Sequence, residues 1–224
     1  DNLSKAWEFN PKGSEIPSLV SFYYLTLADL PSAEKWALAA LEKTPQDPIA
    51  WMVRGKIEMR QGWPDLAIKS LLRARQYWPN IEKLQGTSLI VKTIFQANPV
   101  NLKAELFYDL GQVNRQLGNS QEALNNFEQA IVVEPNYASA LLESGKILLE
   151  MNQINPGLDR FSKAVKVAPR NPFAHLFLSQ ALEQIPERRQ EAIQELKIFL
   201  NLAPDDSPER KKAEKHLSEL IAGQ

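Results

Sequence analysis

Cysteine is absent from the 224 residues. That excludes disulfides, thiol nucleophiles and thiolate metal sites together. It leaves the compartment open, because a cysteine-free chain survives in the cytoplasm or in an oxidising space. Glycine is scarce at nine residues and histidine is held to two. The formal net charge is −1, so no global field draws the chain to phosphate or anionic lipid. No run of eighteen apolar residues occurs, so no transmembrane helix and no direct membrane insertion are expected. No basic-then-apolar leader opens the sequence, although one removed earlier would leave no trace. Catalytic signatures are missing as well: there is no HExxH, CxxC, GK[ST] or GxGxxG. A nucleophile needs a positioned base, and no such pair can be named. The expectation is a chain that is not an enzyme and has no catalytic residue, metal or cofactor.

What is present is ordinary in amount and regular in spacing. Hydrophobic residues make up 44% and charged residues 24%, as in a folded globular protein. Leu, Ala, Glu, Gln and Lys dominate, which favours helix over sheet. Prolines fall at Pro11, Pro45 and Pro79, and again at Pro135, Pro169 and Pro204, in steps of 34, 34, 34 and 35 within the two sets. Five residues before five of them stand Ala6, Ala40, Ala74, Ala130 and Ala164. Ala33, Ala67 and Ala123 precede Pro45, Pro79 and Pro135 by twelve, and Gly55, Gly111 and Gly145 precede Pro79, Pro135 and Pro169 by twenty-four. Independent positions sharing one period identify a repeat.

Each unit reads as two helices. "AWMVRGKIEMRQG" has apolar residues at helical spacing and ends on Gly62, a natural helix stop. "PDLAIKSLLRARQYWP" comes next, with Pro64 suited to a first turn and Pro79 expected to close the unit. Small residues at the crossing let the two backbones approach, so a bulky side chain at Ala123 would overpack it.

With Trp or Phe, Leu-Gly, Ala, Phe, Ala and Pro in order, the 34-residue unit resembles the tetratricopeptide repeat. The fullest match is Ala104–Tyr137, carrying Phe107, Leu110, Gly111, Gly118, Ala123, Phe127, Ala130 and Pro135. Trp51, Gly55, Gly62, Ala67, Ala74 and Pro79 fit the same pattern. Departures are Gly157 in place of alanine, an extra residue near Ile185-Pro186, Phe199 in place of alanine, and Pro17 at the usual Trp position. The resemblance implies an all-α, right-handed α-solenoid of helix-turn-helix repeats.

The period also sets an expected organisation. Residues 1–13 hold the second helix of an incomplete preceding repeat, since Leu3, Ala6 and Pro11 stand 34 before Ala37, Ala40 and Pro45. With no initiator methionine, that suggests a piece of a longer repeat protein; a genuine N-terminal cap helix is the alternative. Residues 14–81 hold two units, 104–206 three, and 207–224 a capping helix with Ser207 as N-cap, Pro208 at its first position and a stripe of Ala213, Leu217, Leu220 and Ile221. Between them, 82–103 breaks the period with 22 extra residues. A helix from Ser88 through Phe95, with a stub near Ile81–Leu84, would keep the up-down alternation. It reads either as a decayed repeat filling a gap or as a hinge or docking element that changes the curvature near Gly86.

Function then rests on surface. In the family the first helix of each repeat lines a concave groove, usually through its second, fifth, ninth and twelfth positions. Here these are Glu105, Tyr108, Gln112 and Arg115; then Ser139, Leu142, Lys146 and Leu149; then Phe173, Leu176 and Gln180. The partner-binding groove is assigned to Tyr108, Gln112, Arg115, Leu142, Lys146, Leu149, Phe173, Leu176 and Gln180. A mixed lining of this kind suits an extended peptide or a partner helix. The plain alternative is that Tyr108, Leu142 and Phe173 pack against neighbouring helices. Family members that grip the C-terminal carboxylate of chaperones use a clamp of Lys/Asn, Asn and Lys/Arg. Tyr108, Gln112, Glu143, Phe173 and Phe177 stand there instead, and Ser18 and Phe22 begin no clamp either. His175 falls at the repeat's core aromatic position and reads as a packed, hydrogen-bonded side chain, while His216 on the capping helix reads as exposed. Arg188-Arg189 and Lys211-Lys212 are short and flanked by acids, so no nucleic-acid partner is expected. The leading expectation is a scaffold for a protein or peptide partner. Self-association through the N-terminal end (Leu3, Trp7) and a positioning arm of a larger enzyme or secretion component are the alternatives.

Overall fold

In the computed structural model the described residues are 16–85 and 101–222, and every element among them is helical. The expected helix over 1–13, with Leu3 and Trp7, and the expected helix from Ser88 to Phe95 lie outside the described residues. The chain divides into two units, Asp1–Asn126 and Phe127–Gln224.

In the first unit, α1 (Ile16–Thr26) pairs with α2 (Leu30–Lys43), and α3 (Pro48–Arg60) with α4 (Pro64–Gln85). Next comes α5 (Leu102–Gln116), which packs on α4 and α3. The first helix of one hairpin also touches the first helix of the next, α1 on α3. Aspartate or asparagine starts α2, α3 and α5. Asp29 Oδ1 accepts the Ser32 N–H at 3.1 Å, Asp47 Oδ1 accepts those of Ile49 and Ala50 at 2.9 and 3.0 Å, and Asn101 Oδ1 accepts that of Lys103 at 2.9 Å. The core gathers Leu19, Trp51, Met52, Ile57, Leu71, Trp78 and Leu106 from neighbouring helices.

Helix α6 (Ser120–Val133) spans the division between the units. In the second unit α7 (Ala138–Glu150) pairs with α8 (Ile154–Val167), and α9 (Pro172–Glu183) with α10 (Arg189–Leu202). The extra residue of that last repeat is taken up by a 3-10 turn, Pro186–Arg188. Helix α11 (Pro208–Ala222) closes the unit against α10. It begins as expected, with Ser207 Oγ accepting the Arg210 N–H at 3.3 Å and Pro208 in the first turn. Phe199, only 1% exposed, fills the space beneath it with Leu196, Ala203 and Ala213.

In the four hairpins before α9 the turn recurs at one register. Ala28, Gly62, Gly118 and Asn152 all sit at positive φ, between 58° and 79°. Glycine is at home there; alanine and asparagine occupy the same bend in the other two hairpins.

Pro79 does not end its helix. Helix α4 passes through it to Gln85, so residues 81–85 belong to α4 rather than to a separate stub. Proline forfeits one helical hydrogen bond, but the residues after it decide whether the chain turns. After Pro45 and Pro169 an Asp47 or Asn171 stands two residues on and caps the next helix. After Pro79 that place holds Ile81, and then come Glu82, Lys83, Leu84 and Gln85, which are good helix formers with no capping oxygen.

Candidate functional site

The expected groove residues divide between the two units. On α5, Tyr108, Gln112 and Arg115 are all half-buried, and the Gln112 side-chain amide donates to the Tyr108 hydroxyl at 2.6 Å. One turn away the face carries charge. Lys56 of α3 reaches Glu105 Oε1 at 2.7 Å and Asp109 Oδ2 at 2.8 Å. Asp109 is 5% exposed. Burial pushes its carboxyl up to about 6 in spite of the lysine. Burial works against the Lys56 charge, but Asp109 and Glu105 outweigh it and push the ammonium up to about 12. This cluster ties two hairpins together and is already internally paired.

In the second unit α7 and α9 bring an aromatic row and a cation together. Phe173 stacks on Phe177 with ring centroids 6.3 Å apart, and Phe177 stacks in turn on the buried Phe161 at 5.8 Å. Lys146 of α7 places its Nζ 4.5 Å from the Phe177 ring and holds Glu143 Oε1 at 2.6 Å. Phe173 is 44% exposed, so the row opens at that end. Leu142 is buried in the core cluster, and Leu149 packs on that cluster against Gly157 of α8. Phe177 was not among the assigned groove residues. Its place four after Phe173, one helical turn along the same face, was the available signal.

Leu176 and Gln180 continue the same face of α9 into a cavity of about 400 Å³. Its floor is Leu176, Leu196 and Ala213, and Glu183, Lys212 and His216 stand at its wall. His216 is not free: its Nε2 lies 2.7 Å from Glu183 Oε2, linking α11 to α9.

His175 is 4% exposed and has a structural place. Its Nε2–H donates to the Pro169 carbonyl at 3.0 Å, and Nδ1 lies 2.6 Å from Glu195 Oε2. In the earlier repeat Trp51 Nε1 donates to the Pro45 carbonyl at 2.8 Å. Both bonds reach back six residues to the proline that closes the preceding repeat, so the histidine occupies the tryptophan's position. Among the described residues no group of three or more His, Asp or Glu is placed to hold a metal ion. No described helix is long and apolar enough to cross a membrane.

Family models for the tetratricopeptide repeat match residues 104–137 and 23–81. Human tetratricopeptide repeat protein 6 is 23% identical over 171 residues, 75% of this chain and 28% of its own. The anaphase-promoting complex subunit 3 of Schizosaccharomyces pombe is 22% identical over 179 residues, again 75% of this chain and 27% of its own. The chain thus spans about a quarter of the length of these relatives. Among solved structures it superposes on YrrB, a TPR protein with an unusual peptide-binding site, with a TM-score of 0.68 and 17% identity, covering 98% of each chain. Pseudomonas aeruginosa pilF gives a TM-score of 0.75 at 19% identity, covering 96% of this chain and 86% of that one. At these identities the superpositions establish the fold.

Proposed function

The chain belongs to the tetratricopeptide repeat family, and from that premise we propose that it is a non-enzymatic scaffold that holds a peptide or helix of a protein partner on the α7–α9 face of its second unit. The observation that carries this reading is the half-exposed Phe173, stacked on Phe177 beside Lys146 and continued through Leu176 and Gln180 into the cavity below α11. An aromatic anchor beside an apolar cavity with a few charged groups is what peptide recognition requires. The repeat supports it generically, since helical hairpins present their first helices as a continuous binding face. YrrB shows that a chain of this fold has a peptide-binding site. Tyr108, Gln112 and Arg115 of α5 form a patch of their own in the first unit, to be tested separately.

A photo-crosslinking side chain at position 173 tests the reading in the native extract. It should trap a partner that the same probe at position 132 does not, since Val132 is 72% exposed and stands on α6, outside the aromatic row. Adding Lys146→Glu should abolish the product while circular dichroism stays unchanged. Equal trapping from both positions, or indifference to Lys146→Glu, would move the site elsewhere.

A further inference from the structure

The α3–α4 hairpin carries a second surface that the groove does not explain. Trp51 is only 8% exposed, and two guanidinium groups lie over its indole: Arg73 Cζ is 4.4 Å and Arg54 Cζ 5.5 Å from the ring. The two arginines differ in what else they hold. Arg54 Nε donates to Glu58 Oε1 at 2.9 Å, and the other oxygen of Glu58 accepts the Ser70 hydroxyl at 2.6 Å. The one carboxylate in this wall is therefore fully used. Arg73 has no carboxylate partner among the described residues, nor has Lys69, one turn before it on α4. Both are exposed. A guanidinium held over an indole is restrained in place while its N–H groups can still meet a planar two-oxygen acceptor.

These groups line a cavity of about 180 Å³. Leu66 belongs both to its wall and to that of a smaller neighbouring hollow of about 90 Å³, lined also by Leu38 and Trp63. Leu38, Trp63 and Leu66 are 50%, 51% and 45% exposed. Large apolar side chains exposed together, beside unmatched cations, mark an interaction surface rather than scattered surface residues. Charge decides the occupant. Among the described residues of this wall Lys69 and Arg73 are the unmatched cations, Glu58 being already spent on Arg54 and Ser70, and they stand beside exposed apolar side chains, which suits a peptide carrying an acidic residue next to a bulky apolar one.

We propose that this hairpin is a docking site for an acidic peptide: an Asp or Glu carboxylate seats against Lys69 and Arg73, and an adjacent bulky apolar residue lies on Leu66 and Trp63. The site lies wholly within the first unit and does not depend on the α7–α9 reading.

The test uses the full chain and a phage-displayed library of random dodecapeptides. Peptides recovered by the wild type should carry Asp or Glu beside a bulky apolar residue. Synthesised with a fluorophore, they should bind the Lys69→Gln/Arg73→Gln variant about tenfold or more weakly. They should lose affinity equally when the acid is changed to its amide, and should weaken with Leu66→Ser, which leaves the Arg73–Trp51 contact in place. Phe173→Ala should leave them unaffected. Circular dichroism melts confirm that each variant is folded. Failure to recover peptides, no enrichment of acids, or binding to Lys69→Gln/Arg73→Gln within about twofold of wild type would overturn the proposal. Tighter binding when phosphoserine replaces the acid would overturn its choice of a carboxylate.

Discussion

Gly145 of α7 lies directly beneath the ring of Phe161 of α8: a Cβ built on the glycine would stand 2.6 Å from Phe161 Cε1 and 2.8 Å from Cζ. Phe161 is fully buried and also packs on Phe177, so its ring is confined. Gly145→Ala should therefore destabilise the protein. Overpacking of this kind costs roughly 1–3 kcal/mol, and the better helix propensity of alanine returns at most about 1. A net loss of about 1–2 kcal/mol in urea unfolding is expected. An unchanged midpoint would mean that the ring moves freely.

Gly157, on the facing helix of the same hairpin, should behave differently. Its added Cβ would meet the Gly145 carbonyl oxygen and Leu149 Cδ2, both at 3.2 Å. Leu149 is a flexible side chain at the end of α7 and can give by a few tenths of an ångström. Ala67 and Ala123 hold the equivalent place in other hairpins. Gly157→Ala should thus fall within about 1 kcal/mol of wild type, the gain in helix propensity offsetting the contact. Running the two alanine variants side by side separates the crossing that needs glycine from the one that merely has it.

The turn register yields a stabilising change. Ala28 sits at φ 59°, where Gly62 and Gly118 sit in the corresponding turns. The left-handed region costs a non-glycine residue about 1–2 kcal/mol. Ala28→Gly removes that strain at the expense of a more flexible unfolded chain, for a net gain of about 0.5–1 kcal/mol. A rise in the unfolding midpoint is the expected result, and a fall would show that the alanine methyl packs usefully.

The 34-residue spacing of Pro, Ala and Gly reports local geometry: where two helices cross, where a chain bends, where a cap begins. Gly62, Ser207 and His175 could therefore be placed from the sequence. The course of α4 past Pro79 could not, because it depends on the absence of a capping residue after the proline rather than on the proline itself. Nor could the Lys56–Asp109 contact, which joins residues separated by the very segment that breaks the period. The α7–α9 face lies between these cases. The resemblance to the repeat family selected Leu142, Lys146, Leu149 and Phe173, but only side-chain packing separates the open Phe173 from the buried Leu142, and only the ring stack brings in Phe177.

The replacement of tryptophan by histidine at position 175 makes a separate prediction. Its two ring nitrogens bond the Pro169 carbonyl and the Glu195 carboxyl group. His175→Phe keeps an aromatic volume and removes both bonds, leaving the Pro169 carbonyl and the Glu195 carboxyl group in a part-buried site without the imidazole. Each stranded group costs about 1–3 kcal/mol, so a loss of at least about 2 kcal/mol is expected. Adding Glu195→Leu to the same chain should recover part of it, because the double variant strands one group fewer. Strict additivity of the two losses would show that the pair is not coupled.

The buried cluster at Lys56 makes stability depend on pH in a direction opposite to that of most carboxylates. Asp109 is held at about 6 in the folded chain against 3.8 in the unfolded one, burial being the main cause. Between roughly pH 4 and 6 the folded state therefore binds more protons at this site than the unfolded state. Stability from this group is fully present below about pH 4 and is lost as the pH rises through about 6. Lys56, pushed up to about 12, adds no pH dependence in that window. The shift at Asp109 is on the order of 3 kcal/mol. Asp109→Asn removes the titration, so the stability of wild type minus that of Asp109→Asn should fall by about 2–3 kcal/mol between roughly pH 4 and 7. Urea unfolding of both chains at intervals across that range reads the difference directly. A constant difference would place the Asp109 carboxyl in contact with solvent, and with it would go the argument that burial rather than pairing dominates where α3 meets α5.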